Sequence, residues 1–328
     1  MNFDNLPMMN PDIQEDVLPS AFDGLFSAIV PCKDEEDMIA IFYREFVDVM
    51  KSISSDNFEL IFVDDGSTDN TLTEIKKLAL TDARIRFVSF SRNFGKEAAM
   101  LAGLESAKGD YIAIMDADLQ DPPSLLPEMF ELIKNCDCVA TRRITRTNEP
   151  PIRSFLAKVF YKVLNSVSTL KFREGARDFR LMRRKVVDEI LRLGEYNRFI
   201  KGVYEWVGFD TKWIEYENQP RVAGKTKWSL WGLAVYSLEA ISSFSTIPLA
   251  IAAIVGLGFC ALSAVAIIFV AVRQMLFHNS VSGSTSLVCI LCFLSGLQLF
   301  CLGILGQYMS KIYLETKRRP QYIVREKK

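Results

Sequence analysis

The chain has 328 residues, 49% hydrophobic and 24% charged, and its 39 basic and 40 acidic side chains leave a formal net charge of -1. That length allows a sizeable domain with material to spare, and the balanced charge offers no global basic field for a nucleic-acid partner. Seven cysteines and a single histidine, His278, exclude a disulfide framework, a zinc-like pair of ligand pairs and a histidine-dependent catalytic triad.

Residues 1–24 are acidic, Pro-containing and aperiodic, as expected of a mobile tail. They contain no basic segment followed by an apolar core, so no cleaved signal peptide is expected. Residues 25–30 form an apolar strand-like run stopped by Pro31, and Asp34, Glu35 and Glu36 suit the N-terminus of a helix whose periodicity covers 38–50. A second strand over 58–63 ends in Asp64-Asp65-Gly66-Ser67-Thr68-Asp69. A helix over 70–80 and a third strand over 85–90 follow. Ser91-Arg92-Asn93-Phe94-Gly95-Lys96 then leads into an Ala-rich helix over 97–107. The fourth strand, 111–115, ends in Asp116-Ala117-Asp118-Leu119-Gln120-Asp121-Pro122-Pro123, where the prolines forbid its continuation.

Strands alternating with helices at this spacing predict βαβ crossovers and a mainly parallel sheet, with ligands beyond the carboxyl ends of the strands. Residues 31–36, 64–69, 92–96 and 116–120 then share one crevice. Each segment alone reads as a loop or cap; four at one edge favour a site. The first βα turn lacks G-x-G-x-x-G, and no G-x-x-x-x-G-K-[ST] loop occurs, so a nucleotide is expected to be held by carboxylates and a metal. Two carboxylates at a strand end form a hard oxygen site suited to Mg²⁺ or Mn²⁺, completed by waters and substrate phosphates. The spacing is read as requiring a turn between Asp116 and Asp118 before both serve one ion; the alternative is that they merely start a turn.

The stretch 125–135 and a strand-like run over 138–140 precede a basic group, Arg142, Arg143, Arg146 and Arg153, which is either a solvated face or a polyanion clamp. A helix over 152–167 follows, then residues 175–184 introduce a helix ending at Leu193, and 206–216 read as late strands. Residues 219–228 form a flexible basic segment ahead of an amphipathic helix over 229–244, with Trp228, Trp231 and Tyr236 suited to a headgroup layer. Two apolar runs, 247–272 and 287–309, each reach the ~20 residues needed to cross a bilayer. The basic C-terminal residues place that end, and with two spans the N-terminal domain, on the cytoplasmic side. The expected layout is a mobile tail over 1–24, a catalytic domain over 25–228, an interface helix over 229–246, two spans over 247–316 and a basic cytoplasmic tail over 317–328.

Four motifs, Val30-Pro31-x-x-Asp34-Glu35-Glu36, Val63-Asp64-Asp65-Gly66-Ser67-x-Asp69, Ser91-Arg92-Asn93-x-Gly95-Lys96 and Asp116-x-Asp118-Leu119-Gln120-Asp121-Pro122-Pro123, together resemble those of family 2 glycosyltransferases of GT-A fold. From about Phe26 to the C-terminus the chain looks like the polyisoprenyl-phosphate branch, relatives of dolichol-phosphate mannose synthase. The resemblance implies that Pro31, Asp34, Glu36 and Asp65 contact the nucleoside and that Lys96 and Ala117 line the nucleotide-sugar site. It implies that Asp116, Asp118 and Gln120 organise Mg²⁺ or Mn²⁺ and the diphosphate. Arg221, Gly224, Lys225 and Lys227 occupy a loop thought to close over the donor and lipid phosphate; Arg142, Arg143, Arg221, Lys225 and Lys227 are the candidates for holding that phosphate. Cys32-Lys33 departs from the commoner pair at its position. The Q-x-x-R-W motif of processive synthases is absent, which implies one sugar per acceptor.

The implied reaction is one inverting displacement, from a nucleotide-diphosphosugar to a polyprenyl phosphate at the cytoplasmic face of the bilayer. The run Gly175-Ala176-Arg177-Asp178-Phe179-Arg180-Leu181-Met182 resembles the bacterial glucosyl branch and points to UDP-glucose, with GDP-mannose and dolichyl phosphate as the second pairing. Asp178 orients the sugar, acts as a weak base, or caps the following helix. Gly256, Gly258, Gly296, Gly303 and Gly306 either allow the close packing of a homo-oligomer or are ordinary membrane-helix glycines. Two other classes compete: a nucleotide-sugar sensor without turnover, opposed by the intact acidic set, and a flippase, opposed by spans lacking acids and lysines.

Overall fold

A computed structural model describes residues 22–53, 56–144, 165–166, 170–196, 198–217, 247–277 and 284–328. Its first half follows the chain pattern closely: β1 Phe26–Cys32, α1 Glu36–Ser52, β2 Phe58–Asp64, α2 Thr71–Thr81, β3 Ile85–Phe90, α3 Lys96–Ser106 and β4 Tyr111–Ile114. Every residue of β2 is buried, and β1 departs from burial only at Pro31, as in strands covered on both faces. The four strands lie parallel in the order β3-β2-β1-β4, with Phe26 opposite both Phe58 and Tyr111. Phe26, Phe42, Phe46 and Phe62 fill one face of the core, and the Ala-rich α3 covers the other. Its Gly103 is required there, because a Cβ would stand 2.1 Å from Ile29 Cγ2.

The second half adds antiparallel pairings to the expected mainly parallel sheet. A 3-10 turn, Pro123–Leu125, leads into α4 Leu126–Ile133 and β5 Cys138–Arg143; β6 Ala176–Arg183, α5 Arg184–Arg192, α6 Ile200–Val207 and β7 Thr211–Tyr216 follow. β6 enters antiparallel between β4 and β5, so the eight-stranded sheet is mixed, in the order β7-β5-β6-β4-β1-β2-β3-β8. The residues ahead of the helix expected to end at Leu193 form this strand, and the helix itself is α5, with Leu193 as its C-cap. The alternation of β6 is hidden in sequence because Arg180 is only 2% exposed, with its guanidinium 4.2 Å from the Tyr204 ring and 5.2 Å from that of Trp213. Trp206 lies in a helix rather than a strand, and Gly208 ends that helix in the left-handed region at φ +68°.

Two long helices come next, α7 Ile247–Phe277 and α8 Ser284–Lys317, meeting through the Phe259 and Phe293 rings at 5.5 Å. Among the described residues one stretch, Phe293–Lys317, is long and apolar enough to cross a membrane; the apolar stretch of α7, Leu249–Ser263, is shorter. The basic end of the chain is not a free tail. Its residues Val324–Lys327 form β8, antiparallel to β3, with Val88 opposite Lys327 and Phe90 opposite Val324. Charged residues suit such an edge strand and conceal it in sequence. Tyr322 stacks on Phe90 at 4.8 Å, and Lys76 pairs with Glu326 at 2.7 Å. At the other end Phe22, expected in a mobile tail, is buried and stacks on Phe130 at 4.2 Å. Residues 1–21, Arg146, Arg153, most of the helix expected over 152–167, the segment 219–228 and the helix over 229–246 lie outside the described residues.

Candidate functional site

The four polar segments do meet at one edge of the sheet, stitched together by side chains on backbone donors. Asp34 accepts from the N–H (2.8 Å) and hydroxyl (3.2 Å) of Thr68, while its own N–H donates to Ser67 Oγ at 3.0 Å. Glu36 accepts from Asn70 N at 2.9 Å, and its N–H donates to Asp69 at 3.2 Å. The buried carboxylate of Asp65 accepts from Phe94 N at 2.6 Å and Gly95 N at 3.0 Å; burial raises its pKa against those bonds. Gly66 is at φ +63°, and a Cβ would meet the Arg92 backbone carbon at 2.4 Å, so only glycine lets the two loops approach. Asp34, Glu36 and Asp65, the residues that the resemblance assigns to the nucleoside, thus tie together the loops of the crevice wall. Pro31 is half-buried in β1 opposite Val63.

Beyond β4 the burial alternates. Met115, Ala117 and Leu119 point inward, and Asp116, Asp118 and Gln120 are half-buried on the other side. The expected turn is present: the chain leaves β4 at Ile114 and turns through Ala117 and Asp118, between the two carboxylates. The left-handed residue, Leu119 at φ +56°, comes after the pair, and Gln120 N donates to Asp118 at 3.1 Å.

Beneath this turn lies a cluster the sequence reading missed. Asp121 is fully buried; Arg177 Nε donates to its two oxygens at 3.0 and 3.1 Å and Nη2 donates to Gln120 Oε1 at 3.4 Å. Tyr216 donates its hydroxyl to the same carboxylate. Burial pushes the Asp121 carboxyl up and Arg177 opposes it. The only sequence trace is two charges inside otherwise strand-like or proline-bounded runs.

At the centre Lys96 Nζ lies 2.6 Å from Asp116 Oδ1 and 2.7 Å from Asp178 Oδ2. Asp178 belongs to β6, and the N-cap of α5 is Arg183 with no side-chain bond, so Asp178 does not cap that helix. Burial works to raise its pKa, but Lys96 and Lys201 hold it well below the usual carboxylate range, which makes it a weak base. Its Oδ1 is buried without a partner among the described residues. Glu97, also missed in sequence, accepts from Ile200 N at 2.9 Å at the start of α6; burial pushes its pKa up to about 8, opposed by that bond.

Of the cations expected at an acceptor, Arg142 donates to Glu174 O at 3.0 Å and to Glu215 Oε1 at 3.1 Å. The Arg143 N–H donates to Gly175 O at 3.0 Å. Arg221, Gly224, Lys225 and Lys227 lie outside the described residues. Asp116, Asp118 and Gln120 present the hard oxygen donors that Mg²⁺ or Mn²⁺ takes, and the described residues include no group of three or more His, Cys, Asp or Glu that could hold a metal ion. An ion held there draws its other ligands from water or substrate.

The family model described as glycosyl transferase family 2 matches residues 27–191. The bactoprenol glucosyl transferase of Shigella phage SfV is 40% identical over 306 residues, covering 92% of this chain and 98% of the phage protein. A prophage bactoprenol glucosyl transferase homolog of Escherichia coli (strain K12) is also 40% identical, over 92% of this chain and 99% of its own. Among solved structures, a mannosyltransferase from Pyrobaculum calidifontis in complex with GDP-Man and Mn²⁺ aligns over 91% of this chain and 87% of its own, at 17% identity and a TM-score of 0.42.

Proposed function

The chain belongs to glycosyl transferase family 2, and from that premise we propose that it transfers one glucosyl residue from UDP-glucose to a polyprenyl phosphate at the cytoplasmic face of a membrane. The observation that carries this reading is the convergence of Asp116, Asp118, Gln120, Lys96 and Asp178 beyond the end of β4. The donor sugar and acceptor follow the names of the two relatives that cover nearly the whole chain.

In the proposed reaction an oxygen of the lipid phosphate attacks the anomeric carbon. The bond from that carbon to the diphosphate breaks on the opposite face, and its electron pair leaves with UDP. A phosphate monoester with a second pKa near ~6 is largely dianionic at neutral pH, so the attack needs no strong base. The depressed pKa of Asp178 fits that requirement. Asp116, Asp118 and Gln120 would hold Mg²⁺ or Mn²⁺, which supplies Lewis acidity to the leaving diphosphate. Arg177 and Asp121 keep Gln120 in place beneath the turn. Asp34, Glu36 and Asp65 hold the loops that form the nucleoside wall, together with Pro31, and Ala117 floors the sugar site. Arg142 and Arg143, with Arg221, Lys225 and Lys227, receive the acceptor phosphate. Phe293–Lys317 anchors the domain in the bilayer, α7 provides a second span, and the glycines of α7 and α8 support a homo-oligomer.

The test is transfer of radiolabel from UDP-glucose, and in parallel from GDP-mannose, into polyprenyl phosphate by the purified full-length protein in detergent with Mg²⁺ or Mn²⁺. Label in the organic phase from UDP-glucose, abolished by EDTA, is the expected result. Label from GDP-mannose alone replaces the donor, and none from a broad donor panel despite nucleotide binding refutes the transferase reading.

A further inference from the structure

Lys96 is an exposed side chain at the first position of α3, yet its ammonium is shared by two carboxylates, Asp116 just beyond β4 at 2.6 Å and Asp178 of β6 at 2.7 Å. Asp116 is one of the residues assigned above to a divalent ion. Mg²⁺ or Mn²⁺ sits about 2.0–2.2 Å from a carboxylate oxygen. An ion bound through Asp116 while Lys96 keeps its place therefore faces a like charge across one carboxylate, and the ammonium has already neutralised part of the field that attracts the ion. The described residues include no group of three or more His, Cys, Asp or Glu placed to hold an ion, so their own donors offset little of that repulsion. A nucleotide diphosphate offsets more, since it brings several anionic oxygens.

We infer that Lys96 is an internal counter-ion that holds Asp116 before substrate binds and releases it only when a divalent ion arrives together with a nucleotide diphosphate, so that ion and nucleotide bind cooperatively. The inference rests on the glycosyltransferase reading and deepens it. Two further features give the ammonium somewhere to go. The second oxygen of Asp178, Oδ1, is buried and has no partner among the described residues, so a lysine that leaves Asp116 gains an acceptor on the carboxylate it already holds. The Lys96 side chain is 42% exposed, and apart from chain neighbours no described residue lies within 4 Å of the Cβ position at the preceding Gly95, so among the described residues the segment has open space for the swing. An ammonium also has three donors, which leaves one for the diphosphate after the shift.

The experiment measures Mn²⁺ binding to the full-length protein in detergent, by the electron paramagnetic resonance of free Mn²⁺, with and without UDP. For the wild type we expect weak binding of Mn²⁺ alone and binding at least about tenfold tighter with UDP. Lys96→Met should bind Mn²⁺ alone about tenfold more tightly than the wild type, and the coupling between Mn²⁺ and UDP should shrink by a similar factor. Lys96→Arg, which keeps the charge, should retain the wild-type pattern. If Lys96→Met is too unstable to titrate, Mn²⁺ without UDP should raise its thermal midpoint more than it raises that of the wild type. Unchanged or weaker Mn²⁺ binding by Lys96→Met, with transfer by the wild type intact, overturns this inference alone. No Mn²⁺ binding by the wild type even with UDP removes the metal-dependent transferase reading, and this inference with it.

Discussion

Asp121→Ala tests the cluster beneath the site most sharply. The carboxylate it removes is 1% exposed and paired with an Arg177 side chain that is 24% exposed, and it also accepts from the Tyr216 hydroxyl. Removing one partner of a buried ion pair costs about 3–5 kcal/mol. Arg177 keeps part of its side chain in water, so a loss of about 2–3 kcal/mol is expected here. For a domain of roughly 200 residues that lowers the thermal midpoint by about 4–12 °C. Function should suffer as well, because Arg177 also donates to Gln120 and Gln120 N closes on Asp118; Mn²⁺-dependent UDP binding should weaken along with stability. Asp121→Asn, which keeps an acceptor but not the charge, should fall between. The double variant Asp121→Ala with Arg177→Met should be more stable than Asp121→Ala alone, because no guanidinium is left without its partner. Differential scanning fluorimetry and UDP titration read both effects. A change of less than about 0.5 kcal/mol in Asp121→Ala, the range of an ordinary surface substitution, or a double variant less stable than it, would refute the reasoning.

Asp116→Ala should fold, since its carboxylate is half-exposed at the crevice, yet lose label transfer; wild-type turnover removes Asp116 from the ion site. Tyr322→Ala deletes the stack on Phe90, which itself packs edge-on against Phe94 at 5.7 Å, next to the backbone that holds Asp65. The KM for donor should rise about threefold to tenfold, a loss of roughly 1 kcal/mol in positioning, and an unchanged KM would show that β8 is indifferent to the loop. Glu97 has a folded pKa of about 8 against an ordinary 4.5. A raised folded value means its contribution to stability is full below about 4.5 and is lost as pH climbs to about 8. Glu97→Gln retains an acceptor for Ile200 N, so thermal midpoints measured from pH 4 to 9 should decline less steeply than those of the wild type; parallel profiles would contradict the assignment.

The local order of the first half was legible in the sequence because its determinants are neighbours in the chain. Apolar runs such as 58–63 have nowhere to go but a covered sheet, Pro31 and Pro122-Pro123 end what precedes them, and polar segments that directly follow parallel strands must gather at one edge. The turn through Ala117 and Asp118 was legible too, because acids followed by two prolines cannot continue a strand. Only the tertiary structure decided the rest. Arg180 became a strand residue because rings from α6 and β7 cover it, and the charged end of the chain became β8 because β3 offered an open edge. Lys96 meets Asp178 across 82 residues and Asp121 meets Tyr216 across 95. Such pairs leave no periodicity behind, since a charge becomes tolerable inside a protein through the particular partner that folding brings to it.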